Sequence, residues 1–150
     1  MHVLVATDRS ELALSMAQLG ISLLRSPDHV TVLTVVTKVP IVVDEDYEES
    51  LSPLDDQERR WQLEISEANA ALEHTASAFA AARVDQRIEG GDAGKTICDV
   101  ARELGVDAIV VGSHMRRGVA RFRRGSVGEH VVRHAPCPVL IVRGASLESE

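Results

Sequence analysis

The chain has 150 residues, of which 45% are hydrophobic, 26% charged and only 3% aromatic, and its formal net charge at pH 7 is −7. This length fits one domain over residues 1–150, large enough to bury a core without disulfides or metals. The negative charge argues against general binding to nucleic acids and to anionic lipid surfaces, since the field of the whole molecule repels polyanions.

The first part of the chain predicts two strands with a helix between them. The β-branched run at residues 2–7 predicts a buried strand that stops at Asp8. From Ser10 onward, apolar residues recur at spacings of three and four, which predicts a helix that ends before Pro27 and buries Leu12, Met16, Leu19 and Leu23. Residues 30–36 predict the second strand.

An acidic run without any cation follows at residues 44–58. Repulsion among these side chains predicts a mobile loop over about residues 41–55. Ser52 and Pro53 predict a helix start, with Ser52 as the N-cap and Pro53 in the first helical position. The apolar face expected for this helix consists of Trp61, Ile65, Ala68, Leu72 and Phe79.

The second part of the chain alternates in the same way. Its predicted elements are a strand at 84–88, a helix after Asp92, a strand at 107–111 ended by Gly112, a helix from about Ser126 to His134 and a strand at 139–142. Five strands alternating with four helices predict an α/β fold, an open parallel sheet with helices on both faces. Ligands bind such sheets beyond the carboxyl ends of the strands, where the strand order reverses, so Asp8 and Gly112 become candidates. Asp8 could instead cap the helix that begins near Ser10.

The pair Gly125-Ser126 opens the last predicted helix. Backbone N–H groups and the helix dipole can hold a phosphate there. Ser126 with Glu129 also forms a capping box, which would close the helix end without a ligand, and the sequence leaves both interpretations open. The preceding loop holds arginines and no acidic residue, which suits phosphate; we expect support of the phosphates from Arg116, Arg117 and Arg124.

Other motifs indicate no catalytic or metal site. Residues 91–96 contain Gly-Lys-Thr but lack the spacing of a nucleoside-triphosphatase loop, and Asp92 is expected to cap a helix. His130 and His134 share a helix face without a third ligand. The Ser113-His114 pair lacks the glycines that flank a nucleophilic serine.

The chain resembles the universal stress protein family over almost its entire length. The matching segments are residues 3–10, 32–36, 91–93, 107–114, 125–127 and 135–142. The resemblance implies an adenine-nucleotide alpha hydrolase-like fold and a homodimer paired through the last strand, at residues 139–142. In one branch of the family it also implies bound ATP.

The ATP motif of that branch reads Gly-x-x-Gly, nine residues, then Gly-Ser or Gly-Thr. Gly112, Gly125 and Ser126 stand at these intervals, but Met115 occupies the second glycine position. A side chain there would obstruct the phosphates, and a positive φ would cost on the order of 1–2 kcal/mol. The resemblance assigns Asp8 to the adenosine end, the Val35 backbone to adenine and the phosphates to Gly112, Gly125, Ser126 and Val127.

These observations lead to a cytoplasmic stress-response protein that binds ATP or a related adenine nucleotide, with Mg²⁺ as counterion, and acts through a homodimer. No apolar run approaches the roughly 20 residues of a membrane helix, and no leader segment is recognisable. The alternative is a dimeric interaction protein of the same family that needs no nucleotide, with Met115 blocking the phosphate site. An enzyme, at most a slow ATPase, ranks last because no general base or metal-binding carboxylate pair is placed near the phosphates.

Overall fold

A computed structural model describes residues 1–25, 27–36, 53–77, 79, 83–113 and 127–143. Within these residues, strands and helices alternate along the chain. The elements are β1 (His2–Ala6), α1 (Glu11–Leu23), β2 (His29–Val36), α2 (Pro53–Ser77), β3 (Arg83–Gly90), α3 (Ala93–Leu104), β4 (Ala108–Ser113), α4 (Val127–His134) and β5 (Val139–Arg143).

The five strands form one sheet in the order β3-β2-β1-β4-β5, and every neighbouring pair is parallel. The chain leaves β1 toward one edge through β2 and β3, then returns to the other side of β1 for β4 and β5. The strand order therefore reverses between β1 and β4, and in open α/β sheets the carboxyl ends of two such strands flank the ligand-binding crevice. The predicted open parallel sheet is confirmed.

Helices cover both faces of the sheet. Helices α1 and α2 pack on one face and α3 and α4 on the other, so each face has its own core. Successive β1 side chains alternate between them: Val3 and Val5 join the α1/α2 core, whereas Leu4 joins the α3/α4 core. Burial on both faces explains why β1 is apolar at its centre without polar alternation.

The buried face of α1 differs from the expected stripe. Met16 is buried as predicted, but the three leucines of that stripe are 44%, 50% and 65% exposed; they are Leu12, Leu19 and Leu23. The residues that face the sheet are small or flexible and comprise Ala13, Met16, Ala17 and Gly20. A Cβ atom at Gly20 would lie 2.5 Å from Val110 Cγ1. The helix therefore lies too close to the strands for leucines to fit between them.

Several element boundaries also differ from the prediction. Helix α2 begins at Pro53 as expected, so the acidic segment is helical from that residue and the loop cannot reach residue 55. Residues 37–52, with the rest of the predicted loop and Ser52, lie outside the described residues. Gly112 does not end β4, which pairs with β5 as far as Ser113. On the predicted face of α2, Ala68 and Leu72 are buried, Trp61 and Ile65 are half-buried, and the buried Phe79 follows the helix end.

Side-chain caps fix the starts of two helices. The Ser10 hydroxyl accepts a hydrogen bond from the Ala13 N–H at 3.0 Å at the start of α1. The Asp92 carboxylate accepts one from the Lys95 N–H at 2.9 Å at the start of α3. Asp92 is thus the helix cap expected from the sequence.

The amino ends of β1 and β2 carry two stacked histidines. The ring centroids of His2 and His29 are 3.7 Å apart. His2 Nε2 lies 2.9 Å from the Thr31 hydroxyl, and His29 Nε2 lies 2.7 Å from the Asp85 carboxylate. Burial, with a contribution from His29, lowers the pKa of His2 below 6.5, although Asp107 and Asp85 act in the opposite direction. The Arg83 guanidinium, and then His29, hold the pKa of the Asp85 carboxyl below its usual range.

The contribution of His2 to stability is therefore expected to decrease as the pH falls below about 6.5. The folded state favours neutral His2, so its contribution is complete above the unfolded pKa of 6.5 and is lost as the pH falls toward the lower folded value. Replacing His2 with glutamine, which can still bond Thr31, should flatten the dependence of melting temperature on pH. The exposed His74 of α2 provides the matched control, His74→Gln. Equal slopes for His2→Gln and the unsubstituted chain would contradict the expectation.

Candidate functional site

The crevice between β1 and β4 brings the two main candidate residues together. Ala6 is paired with Val111, so the chain leaves both strands at the same edge of the sheet. Asp8 follows two residues after Ala6, and Gly112 directly follows Val111. The structure therefore places Asp8 and Gly112 at neighbouring carboxyl ends, where the strand order reverses.

The turn after β1 is organised by Asp8. Its Oδ1 atom accepts hydrogen bonds from the Ser10 N–H at 3.1 Å and from the Ser10 hydroxyl at 2.7 Å. Ser10 in turn caps α1, so Asp8 orients the capping residue and is not itself the cap. Asp8 is exposed at the edge of the crevice. Its carboxylate can accept hydrogen bonds from hydroxyl or amino groups of a ligand.

The backbone of Val35 is directed toward the same place. The Thr7 N–H donates to the Leu33 carbonyl at 3.0 Å, whereas the Gly91 N–H on the β3 side donates to the Val36 carbonyl at 3.0 Å. Because successive peptide groups of a strand point to opposite neighbours, the N–H and C=O of Val35 point, like those of Leu33, toward β1. They reach the level just beyond Thr7, beside the turn that follows β1.

Gly112 has a packing role that the sequence does not reveal. A Cβ atom at this position would lie 2.5 Å from Met16 Cε. The methionine of α1 thus fills the space that a side chain at Gly112 would need. This contact explains a glycine here without any ligand, although the end of a flexible side chain can move aside at little cost.

Helix α4 brings its amino terminus to the same edge of the sheet. Four residues separate its last residue, His134, from the start of β5, and a Cβ atom at Gly128 in its first turn would lie 3.7 Å from Ile141 Cδ1, so Val127 is at the crevice end. Val127 is 41% exposed. The N–H groups and dipole of this first turn favour an anion. Glu129 forms an ion pair with Arg133 at 2.8 Å, one turn further along the helix.

The remaining candidates lie outside the described residues. They are Met115, Gly125 and Ser126 of the expected phosphate motif, and the arginines Arg116, Arg117 and Arg124. Both interpretations of Ser126, as a phosphate ligand and as part of a capping box, thus stay predictions from the sequence.

Two arginines near the crevice were missed by sequence reasoning. Arg9 directly follows Asp8 and has a φ of 73°, the left-handed region. The sequence did not indicate this positive φ, because glycine, asparagine or aspartate usually occupies such a position. Arg143 is paired with Ser113 at the carboxyl end of β5 and is exposed. It was missed because the last strand was expected to end one residue earlier.

His130 and the two cysteines lie on the α3/α4 side of the sheet. The rings of His130 and His134 stack with centroids 4.2 Å apart, and His130 covers Gly94 of α3. Cys98 is buried and Cys137 half-buried, and burial raises the pKa of both thiols. In the described ranges, no group of three or more His, Cys, Asp or Glu side chains could hold a metal ion. In those ranges, too, no helix has the length and apolar character needed to cross a membrane.

Several solved structures that resemble this fold are universal stress proteins. UspA from Lactobacillus plantarum superposes with a TM-score of 0.73 at 23% identity, covering 95% of this chain and 97% of that one. A family protein from Arabidopsis thaliana, solved with AMP bound, has a TM-score of 0.64 at 22% identity, covering 100% and 95%. Because the sequence identities are only 22–23%, these similarities establish the fold and nothing further.

The amino-acid sequence shows the relationship directly. A Staphylococcus haemolyticus protein that carries the universal stress protein name is 49% identical over 61 residues, which make up 40% of this chain and 37% of that protein. The match therefore spans well under half the length of that curated relative. The sequence model of the universal stress protein family matches residues 1–143. Sheet order, helix arrangement and family match agree, and the chain belongs to the universal stress protein family.

Proposed function

We propose that the crevice between β1 and β4 binds an adenine nucleotide. The observation that carries this proposal is the convergence of the Asp8 carboxylate and the β4 glycine Gly112 at the point where the strand order reverses. A family member of the same fold from Arabidopsis thaliana was solved with AMP bound. That relative supports a nucleotide as the ligand of this crevice.

The two ends of the ligand would meet different chemistry. The Asp8 carboxylate suits ribose hydroxyls or the adenine amino group, and the N–H and C=O of Val35 suit the edge of the base. The phosphates would lie toward Gly112 and the first turn of α4 at Val127, whose dipole favours negative charge. In this proposal Gly125 and Ser126 bind the phosphates, as the family motif implies.

The charge of a triphosphate would need cations around it. The proposal assigns this role to a Mg²⁺ counterion and to Arg116, Arg117 and Arg124. Arginine is suited to phosphate because its planar donors can bind two oxygens at once. A monophosphate would need fewer of these contacts.

We further propose that the protein acts in the cytoplasm as a stress-response regulator, through a homodimer paired along β5. The two edges of the sheet differ in character. Strand β3 carries alternating charges, namely Arg83, Asp85, Arg87 and Glu89, which discourage edge pairing. Strand β5 is apolar from Val139 to Val142, and Ile141 is 38% exposed. An apolar edge of this kind favours pairing with a second copy.

The interaction protein that needs no nucleotide is a second candidate. The observation that favours it is the contact of Gly112 with Met16, which accounts for the glycine by packing alone. Replacing Met115 with glycine separates the two functions. Nucleotide binding that appears only in Met115→Gly would favour the second candidate, whereas binding by the unsubstituted chain would exclude it.

Nucleotide extraction tests the main proposal. The full chain is purified without added nucleotide and denatured, and the supernatant is separated by anion-exchange chromatography with mass detection. We expect an adenine nucleotide in the supernatant, and much less from Asp8→Ala purified in parallel. A supernatant without nucleotide, together with no calorimetric binding of ATP, ADP or AMP, would refute the proposal.

A further inference from the structure

Arg9 holds an unfavourable backbone conformation at the crevice. Its φ of 73° makes it the single non-glycine residue with positive φ in the described part of the chain. Its N–H donates to the Thr7 hydroxyl at 3.2 Å, which closes the turn between β1 and α1. A side chain with a Cβ is disfavoured here, and glycine would adopt the same turn more readily. The conformation of the turn therefore does not explain why residue 9 is an arginine.

The guanidinium of Arg9 is incompletely paired although it is largely covered. The side chain is 30% exposed, and Nη2 lies 3.6 Å from Glu64 Oε1 of α2, a long ion pair. Nη1 is buried, and in the part of the chain that the structure describes it has no hydrogen-bond partner. A buried donor without an acceptor is unfavourable, so an acceptor supplied by a ligand would be bound strongly.

The contact with Glu64 shows which end of a nucleotide the guanidinium could meet. Helix α2 packs over β2 and β3 on one face of the sheet, whereas α4 packs on the opposite face. Phosphates at the first turn of α4 would lie on that opposite side. The ion pair with Glu64 holds Arg9 on the α2 side, and Arg9 directly follows Asp8 in the chain.

We propose that Arg9 is a specificity-determining contact of the nucleoside end, with its Nη1 donating a hydrogen bond to an oxygen or ring nitrogen of the ribose or base. This inference rests on the nucleotide site proposed above. The arginine at a position suited to glycine, and its buried donor without a partner in the described part of the chain, then have one explanation. Glu64 pairs only weakly with Nη2, at 3.6 Å, and has no role in binding in this proposal.

The test compares adenosine and AMP binding, by calorimetry, in the full chain and three variants. Arg9→Gly and Arg9→Asn remove the guanidinium while tolerating the positive φ. We expect both to bind adenosine and AMP about 10- to 100-fold more weakly, the loss of a charge-assisted hydrogen bond. Their melting temperatures should equal or exceed that of the unsubstituted chain. Glu64→Gln is the matched control, because it removes the ion pair and keeps Arg9; its affinities should stay within about threefold.

Three results would overturn the inference. They are unchanged affinity in Arg9→Gly and Arg9→Asn, an equal loss in Glu64→Gln, which would indicate a structural ion pair, and a loss seen with AMP but not with adenosine, which would place Arg9 at the phosphate. Failure of the unsubstituted chain to bind either compound would instead refute the proposed nucleotide site, and this inference with it.

Discussion

Replacing Asp8 with alanine is expected to weaken AMP binding by about 30- to 100-fold. The carboxylate would accept hydrogen bonds from the ligand, and the change leaves those ligand donors without their protein partner. Calorimetric titration of the full chain measures the effect. The AMP affinity of Asp8→Asn should lie between those of the unsubstituted chain and Asp8→Ala, because the amide keeps one acceptor oxygen but loses the charge.

A structural effect of Asp8 must be separated from a binding effect, since Asp8 also accepts two hydrogen bonds from Ser10. Ser10→Ala provides the control, because it removes the cap of α1 and keeps the carboxylate. We expect it to lower the free energy of unfolding by about 1 kcal/mol and to change AMP affinity by less than about threefold. An equal loss of affinity in Ser10→Ala and Asp8→Ala would mean that Asp8 acts only by shaping the turn.

Replacing Gly20 with valine is expected to lower the free energy of unfolding by about 3 kcal/mol. A Cβ atom there would lie 2.5 Å from Val110 Cγ1 and 3.0 Å from Val142 Cγ2. Both neighbours are β-branched and buried, so neither can move aside easily. Helix α1 would have to shift away from β4 and β5. Urea denaturation followed by circular dichroism measures the change.

A valine introduced on the exposed side of α1 is the matched control. Gln18 is exposed, so Gln18→Val should cost well under about 1 kcal/mol, the difference in helix propensity. Gly20→Ala should fall between the two valine variants. If Gly20→Val were as stable as Gln18→Val, α1 would not pack as closely on the sheet as the structure shows.

The central strands β1, β2 and β4 could be predicted from the sequence because they are buried on both faces. An apolar β-branched run such as residues 30–36 indicates such a strand whatever lies around it. The same reasoning failed for α1, where leucines at helical spacing lie beside the buried face. Periodicity detects an apolar stripe, but it cannot show that a close helix-to-sheet contact selects Ala13, Ala17 and Gly20 instead.

The candidate site was predictable where it depends on topology alone. Asp8 and Gly112 follow or end strands, so the rule for parallel sheets was enough to bring them together. The end of β4 was misplaced, because a glycine is a common strand terminator and the register with β5 is not visible in the sequence. Arg9 was missed since its relevance comes from a positive φ and a buried donor, and both arise only in the folded turn.

The central claim, that this crevice is the nucleotide site, is tested most directly by mapping backbone amide chemical shifts of the full chain, 16.3 kDa in mass, during titration with AMP. The largest changes are expected at residues 7–10, Val35, Gly112 and Val127. The amides of His2 and His29, at the opposite end of the strands, should stay unchanged. No change at the crevice, or changes as large at the two histidines, would contradict the assignment.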